Sequence, residues 1–167
     1  MSFPSDSSPD RPPAQLLAPH PGLAQAITLC QQRGARLTAL RQRVLEIIWN
    51  SPTPVGAYTI LDVLRDDGRQ GAPPTVYRAL DFLLAQGLIH RLASLNVFTG
   101  CRQPDHQHGG QFLICRHCGQ AEEITNPAVE NSLRAEAMSR HFEVGSQMIE
   151  VLGRCRQCQQ EATAHEG

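Results

Sequence analysis

Lysine is absent from the 167 residues, so all 15 basic side chains are arginine. Aromatic residues make up only 5%. No apolar run approaches the roughly 20 residues needed to span a bilayer, so a soluble, cytoplasmic protein without membrane partners is expected. A net charge of −1 excludes a uniformly basic nucleic-acid binder, but the mean hides an asymmetry. From Arg33 to Arg91 eight Arg stand against five acids, and from Leu92 to Gly167 six Arg stand against nine acids. Residues 1–19 carry five Pro and little apolar content, and they lack the apolar stretch of a signal peptide. They are expected to form a disordered tail.

Against that sparse background, residues 101–123 concentrate metal-ligand types. Cys115-Arg-His-Cys118 and Cys155-Arg-Gln-Cys158 are two C-x-x-C turns. Each presents two thiolates on one side of a short loop, and the pair together makes a closed four-sulfur site typical of structural zinc. Disulfides would require an oxidising compartment. A thioredoxin-like redox role would require a C-x-x-C opening a helix, whereas Cys115 follows the strand-like run Gln111-Phe112-Leu113-Ile114. Cys101, His106, His108, His117 and Glu123 are further ligand types that such a site does not need, and they point to a second, more open metal site.

Helical periodicity dominates the first half. His20-Pro21 opens a helix with Leu23, Ala26, Ile27 and Cys30 on one face, closed by Gly34. Cys30 reads as a buried small hydrophobe rather than a ligand. Thr38 caps a second helix with Leu40, Val44, Ile47 and Ile48 inward. Ala57 to Asp66 is a third, with Ile60, Leu61 and Leu64 inward. The run Gly71-Ala72-Pro73-Pro74 implies an extended entry to a fourth helix, from Thr75 to Gln86, stopped by Gly87. Its inward face is Val76, Leu80, Leu83 and Leu84, and Tyr77 and Arg78 stand in its first turn. Residues 88–92 and 97–101 read as two strands around Ser94-Leu95-Asn96. Compact helices followed by a hairpin form a winged-helix pattern, in which the last helix enters the major groove of double-stranded DNA. Arg78 then suits a guanine edge or a phosphate, and Tyr77 a thymine methyl or a phosphate. A solvated charge and a packing residue are the alternatives.

Beyond the cysteine turn, residues 121–125 read as a strand, 127–140 as a helix with Val129, Leu133 and Ala137 on one face, and 143–152 as a strand. The expected fold class is α+β: an N-terminal winged-helix domain followed by a small α+β dimerisation domain with a three-stranded antiparallel sheet. Such a sheet leaves an edge and a face open, which favours a homodimer. Residues 159–167 read as a polar tail.

The chain from about His20 to Cys158 resembles the ferric uptake regulator family of metal-dependent transcription factors, and within it the zinc uptake regulator branch. The resemblance rests on Arg36-Leu37-Thr38 with Arg41, on Pro73-Pro74-Thr75-Val76-Tyr77-Arg78-Ala79-Leu80-Asp81-Phe82-Leu83, and on the two C-x-x-C turns. It implies a DNA-binding domain over residues 20–101, a hinge over 102–108 and a dimerisation domain over 109–158. It also implies two zinc ions per chain, a structural one on Cys115, Cys118, Cys155 and Cys158 and a regulatory one on His90, Cys101, His108 and Glu123. DNA contacts would fall on Thr75, Tyr77, Arg78 and Arg41. His106 reads as a solvated loop residue, with a peripheral ligand as the alternative, and His117 and His141 read as surface residues.

Iron- and peroxide-responsive relatives usually carry a His-rich run before the first C-x-x-C, where this chain has Gly109-Gly110-Gln111-Phe112. The mixed sulfur and nitrogen donors that remain suit zinc better than iron(II) or manganese(II), while nickel fits on donor type. The expected function is a zinc-responsive regulator, chiefly a repressor, binding near-palindromic operators of zinc-uptake genes as a dimer. A sensor of another metal or of peroxide is the alternative within the family. A thiol sensor on Cys101 or Cys30 and a hydrolytic zinc enzyme are the rivals from other classes, and four protein ligands argue against an enzyme acting on a small-molecule substrate.

Overall fold

A computed structural model describes residues 20–69, 72–104 and 110–164. Four helices come first: α1 (Leu23–Gln32), α2 (Ala39–Trp49), α3 (Ala57–Asp66) and α4 (Pro73–Ala85). The Thr38 side chain accepts the Arg41 backbone N–H at the start of α2, satisfying a donor that the helix itself cannot. Helix α4 starts two residues earlier than its spacing implies, with Pro73 and Pro74 inside its first turn. A proline there gives up an N–H that has no helical partner, so the pair initiates the helix instead of preceding it.

The helices converge on one apolar cluster. Val44, Leu45, Ile60, Leu64, Leu80 and Leu83 are fully enclosed, each contributing about 1.5–3 kcal/mol by burial. Leu45 and Ala79 belong to this core although the inward faces expected from spacing omit them, while Leu40, Ile47 and Leu84 lie at its margin. Gly87 follows α4 at φ +64°, a left-handed conformation suited to glycine, and the chain turns into a hairpin.

That hairpin is β1 (Ile89–Leu92) paired antiparallel with β2 (Val97–Gly100). Phe98 also exchanges backbone hydrogen bonds with Val55, at 2.9 and 2.8 Å, which fixes the hairpin to the loop between α2 and α3. Leu92 faces the other way and joins Phe112 and Ile114 in a second, smaller core. The hairpin is thus packed on both parts of the chain.

Strands β3 (Gly110–Cys115), β4 (Ala121–Ile124) and β5 (Met148–Gly153) form the second sheet in the order β4-β3-β5. It is mixed, not antiparallel as expected: β3 pairs antiparallel with β4 but parallel with β5. Ile124, at the end of β4, pairs with Gln111, and Met148, at the start of β5, pairs with Gly110. Helix α5 (Pro127–Ser139) and residues 140–147 therefore bring the chain back to the end of the sheet it left, and β5 runs alongside β3. Residues 143–147, expected as strand, belong to this return. A last helix, α6 (Arg156–Ala164), occupies most of the stretch expected to be a polar tail. No helix among the described residues is long and apolar enough to cross a membrane.

Candidate metal centres and nucleic-acid interface

Two groups of ligand-type side chains meet in this fold. The first is Cys115, Cys118, Cys155 and Cys158, whose sulfurs all lie within 4.8 Å of one another. Cys115 ends β3, and a tight turn closed by Gly119 N–H to the Cys115 carbonyl brings Cys118 back beside it. Gly119 has φ +74°, so the turn needs a residue without a Cβ. Cys155 follows β5, and Cys158 stands in the first turn of α6.

The Cys118 and Cys155 sulfurs are 3.8 Å apart, far beyond a disulfide bond of about 2.05 Å, and all six cysteines are free. Two thiolates at about 2.3 Å from one tetrahedral ion would stand about 3.8 Å apart, so the spacing fits zinc. Backbone N–H groups of Cys118 and Cys155 favour the Cys115 thiolate and bring its thiol down to about 5. Burial, followed by the neighbouring thiols, pushes Cys158 up. Four sulfurs this close cannot all be ionised without a cation among them, so the group could hold a metal ion.

The second group is His90, Cys101 and Glu123, again within 4.8 Å of one another. The hairpin register pairs His90 with Thr99, so Cys101, two residues on, falls on the face of His90. The Cys101 N–H extends the ladder by one bond, to the Leu88 carbonyl at 3.0 Å. Glu123 comes from β4 of the other sheet. One of its carboxylate oxygens lies 3.2 Å from His90 Nε2, and the other accepts the Arg102 backbone N–H at 3.0 Å. Nitrogen and oxygen ligands about 2.0–2.1 Å from a tetrahedral ion sit about 3.3 Å apart, so this pair also fits zinc. The Phe112 ring meets His90 edge-on, with centroids 5.2 Å apart, and limits its rotation. His106 and His108 lie outside the described residues. A third group, His117, Cys158 and Glu161, shares a thiol with the first, and its other two members are exposed.

On the helical side, Tyr77 and Arg78 are exposed in the first turns of α4, and Thr75 is half-buried beside them. Arg41 is differently engaged: its guanidinium stacks 3.6 Å over the Phe82 ring and donates to the Arg36 carbonyl. Arg41 thus braces α2 against α4.

A model of the Ferric uptake regulator family matches residues 32–152. The chain belongs to that family. It is 39% identical over 137 residues to the zinc uptake regulation protein of Escherichia coli (strain K12), covering 81% of this chain and 80% of that one. It is 30% identical over 130 residues to the ferric uptake regulation protein of Legionella pneumophila, covering 75% and 93%. Among solved structures, a zinc uptake regulator complexed with zinc and DNA superposes with a TM-score of 0.81 at 38% identity, over 84% of this chain and 95% of that one. The crystal structure of holo XcZur gives 0.76 at 42% identity, over 83% and 96%.

Within this member of the ferric uptake regulator family, some residues around the second group went unmarked by sequence reasoning. Phe112 is one, because a strand phenylalanine signals core and nothing more. Trp49 and Gly100 are others: a Cβ on Gly100 would stand 2.4 Å from the Trp49 ring, so glycine lets β2 lie directly against α2 just before Cys101. Cys30 is fully enclosed and burial pushes its thiol up despite Arg33 and Arg41 nearby, which makes it a poor redox sensor.

Proposed function

We propose that the chain is a zinc-responsive transcriptional regulator, chiefly a repressor, acting in the cytoplasm as a homodimer on near-palindromic operators of zinc-uptake genes. Membership of a regulator family and the likeness to a zinc uptake regulator bound to zinc and DNA support this reading and not an enzyme. One observation carries the mechanism: His90 and Cys101 come from the hairpin that follows α4, while Glu123 comes from the separate sheet. The ligands bridge the two parts of the chain.

The roles divide accordingly. Residues 20–101 form a winged-helix DNA-binding domain, residues 102–108 a hinge, and residues 109–158 a dimerisation domain. Zinc supplies a dication that accepts thiolate, imidazole and carboxylate donors together. His90, Cys101 and Glu123 provide those donors, and His108 is the fourth ligand. Pro104 lines the same cavity as Cys101 and Glu123, and the described chain resumes at Gly110, where β3 starts.

When these side chains close together, α4 is held at a fixed angle to the dimer axis, with Tyr77, Arg78 and Thr75 toward a major groove and Arg41 bracing the helix. Moving the protein from mostly open to mostly closed needs a preference of about 5.5 kcal/mol, well within the roughly 10 kcal/mol or more that a four-ligand zinc site supplies. Cys115, Cys118, Cys155 and Cys158 form the second, structural zinc site of each chain. Exposed Val129, Leu133, Met138 and Phe142 around α5, with Met148 and Val151 on the edge strand β5, support pairing with a second copy.

Operators selected from a random duplex pool, then titrated with zinc, iron(II) and manganese(II) under reducing conditions, test the reading. DNA binding is expected at the lowest free concentration for zinc. Activation by iron(II) or manganese(II) at an equal or lower free concentration would place the protein in another branch of the family.

A further inference from the structure

Phe112 occupies the central strand β3 and pairs with Glu123 of β4 on one side and Glu150 of β5 on the other. Directly paired residues share a face, so Glu123, Phe112 and Glu150 form one row across the sheet. Each member of that row reaches the hairpin. Glu123 meets His90, and Phe112 packs against the same ring. The Glu150 carboxylate accepts the backbone N–H groups of Ala93 and Ser94 at 2.7 and 3.0 Å, one on each oxygen.

We infer that Glu150 is a positioning residue for the His90–Cys101–Glu123 centre, tethering the hairpin turn to the sheet so that the ligands face one another before metal arrives. The inference rests on the reading of that centre as the zinc-sensing site. Glu150 is not a member of any ligand group among the described residues, so its effect passes through the hairpin.

Side-chain contacts of His90 and Leu92 seat the strands of the hairpin on the sheet but do not fix the backbone of its turn. The Glu150 contacts, one and two residues beyond the end of β1, fix that backbone. Burial disfavours the Glu150 carboxylate, yet the hydrogen bonds from Ser94 and Ala93 outweigh it and hold the carboxyl below its ordinary value. Two N–H groups on a carboxylate are charge-assisted bonds, stronger than neutral ones. Ligands preassembled in this way bind without first losing the population that is open, which lowers the metal concentration required.

Glu150→Ala and Glu150→Gln in the full-length chain test this. Chelator competition should show the free zinc at half-occupancy of the second ion raised about tenfold by Glu150→Ala and less by Glu150→Gln, which keeps one acceptor, with the thiol-cluster zinc retained. Amide exchange at Ala93 and Ser94, measured with only the thiol cluster loaded, should be about tenfold faster in Glu150→Ala. Unchanged zinc midpoint and unchanged exchange would overturn the inference. A Glu150→Gln protein that loses the thiol-cluster zinc or melts early would overturn it too, by showing a general structural role. A wild-type chain that takes up only one zinc would instead overturn the sensing-site reading, while the exchange measurement would still judge the tether.

Discussion

Cys115→Ser and Cys101→Ser should separate the two ligand groups, because the groups do different mechanical work. Cys115 and Cys155 are 40 residues apart, and the thiol cluster ties the end of β3 to the start of α6. Cross-linking a loop of that length restricts the unfolded chain by about 4 kcal/mol. The sheet has little to set against the loss: its apolar core is Phe112, Ile114 and, from the hairpin, Leu92, and α5 buries none of its residues within the chain. At roughly 4–8 °C per kcal/mol for a domain of this size, Cys115→Ser should lower the melting temperature by about 20 °C and release one zinc per chain. Cys101 closes no such loop. Cys101→Ser should melt within a few degrees of wild type, keep the thiol-cluster zinc, and lose the second one with zinc-dependent DNA binding. Zinc released on denaturation, counted against chain concentration, and thermal melts read both variants. A Cys115→Ser protein with unchanged zinc content and a melting temperature within about 3 °C of wild type would refute the reasoning, as would a Cys101→Ser protein that still binds DNA only with zinc.

Arg78→Ala should weaken binding to the selected operator by about 1–3 kcal/mol at saturating zinc with melting temperature and zinc content unchanged, measured by gel shift; equal affinity would remove Arg78 from the interface. Gly100→Ala places a Cβ into the Trp49 ring, and β2 must shift just before Cys101, so a loss of about 1–3 kcal/mol in thermal stability together with weaker uptake of the second zinc is expected. The single Trp49 lets fluorescence follow both effects, and a variant with wild-type stability and zinc affinity would refute this account of the glycine.

The helices were legible because their signals are local: Thr38 as a cap, Gly34, Gly68 and Gly87 in left-handed turns, and apolar residues recurring at helical spacing. Meeting of the four thiols was legible too, since a C-x-x-C turn brings its own pair together and two such turns seek one ion. His90 was not legible from periodicity. It is a buried residue of β1 among buried apolar neighbours, and only the family resemblance marks it. Helix α6 was missed because its composition is polar, although Gln, Glu and Ala are all good helix formers and Cys158 anchors its first turn to the thiol cluster.

Strand direction is the deeper gap, and it explains what else stayed hidden. Alternation of apolar and polar residues marks a strand without saying which way it runs, so an antiparallel β5 satisfied the sequence as well as a parallel one. Direction follows from where α5 and residues 140–147 return the chain, a matter of three-dimensional path length and packing. Reversing β5 would change which residue stands opposite Phe112. The observed parallel register puts Glu150 in the row with Phe112 and Glu123, level with the hairpin turn whose N–H groups it receives. The contact from Glu150 to the hairpin turn is thus written only in the register of the sheet.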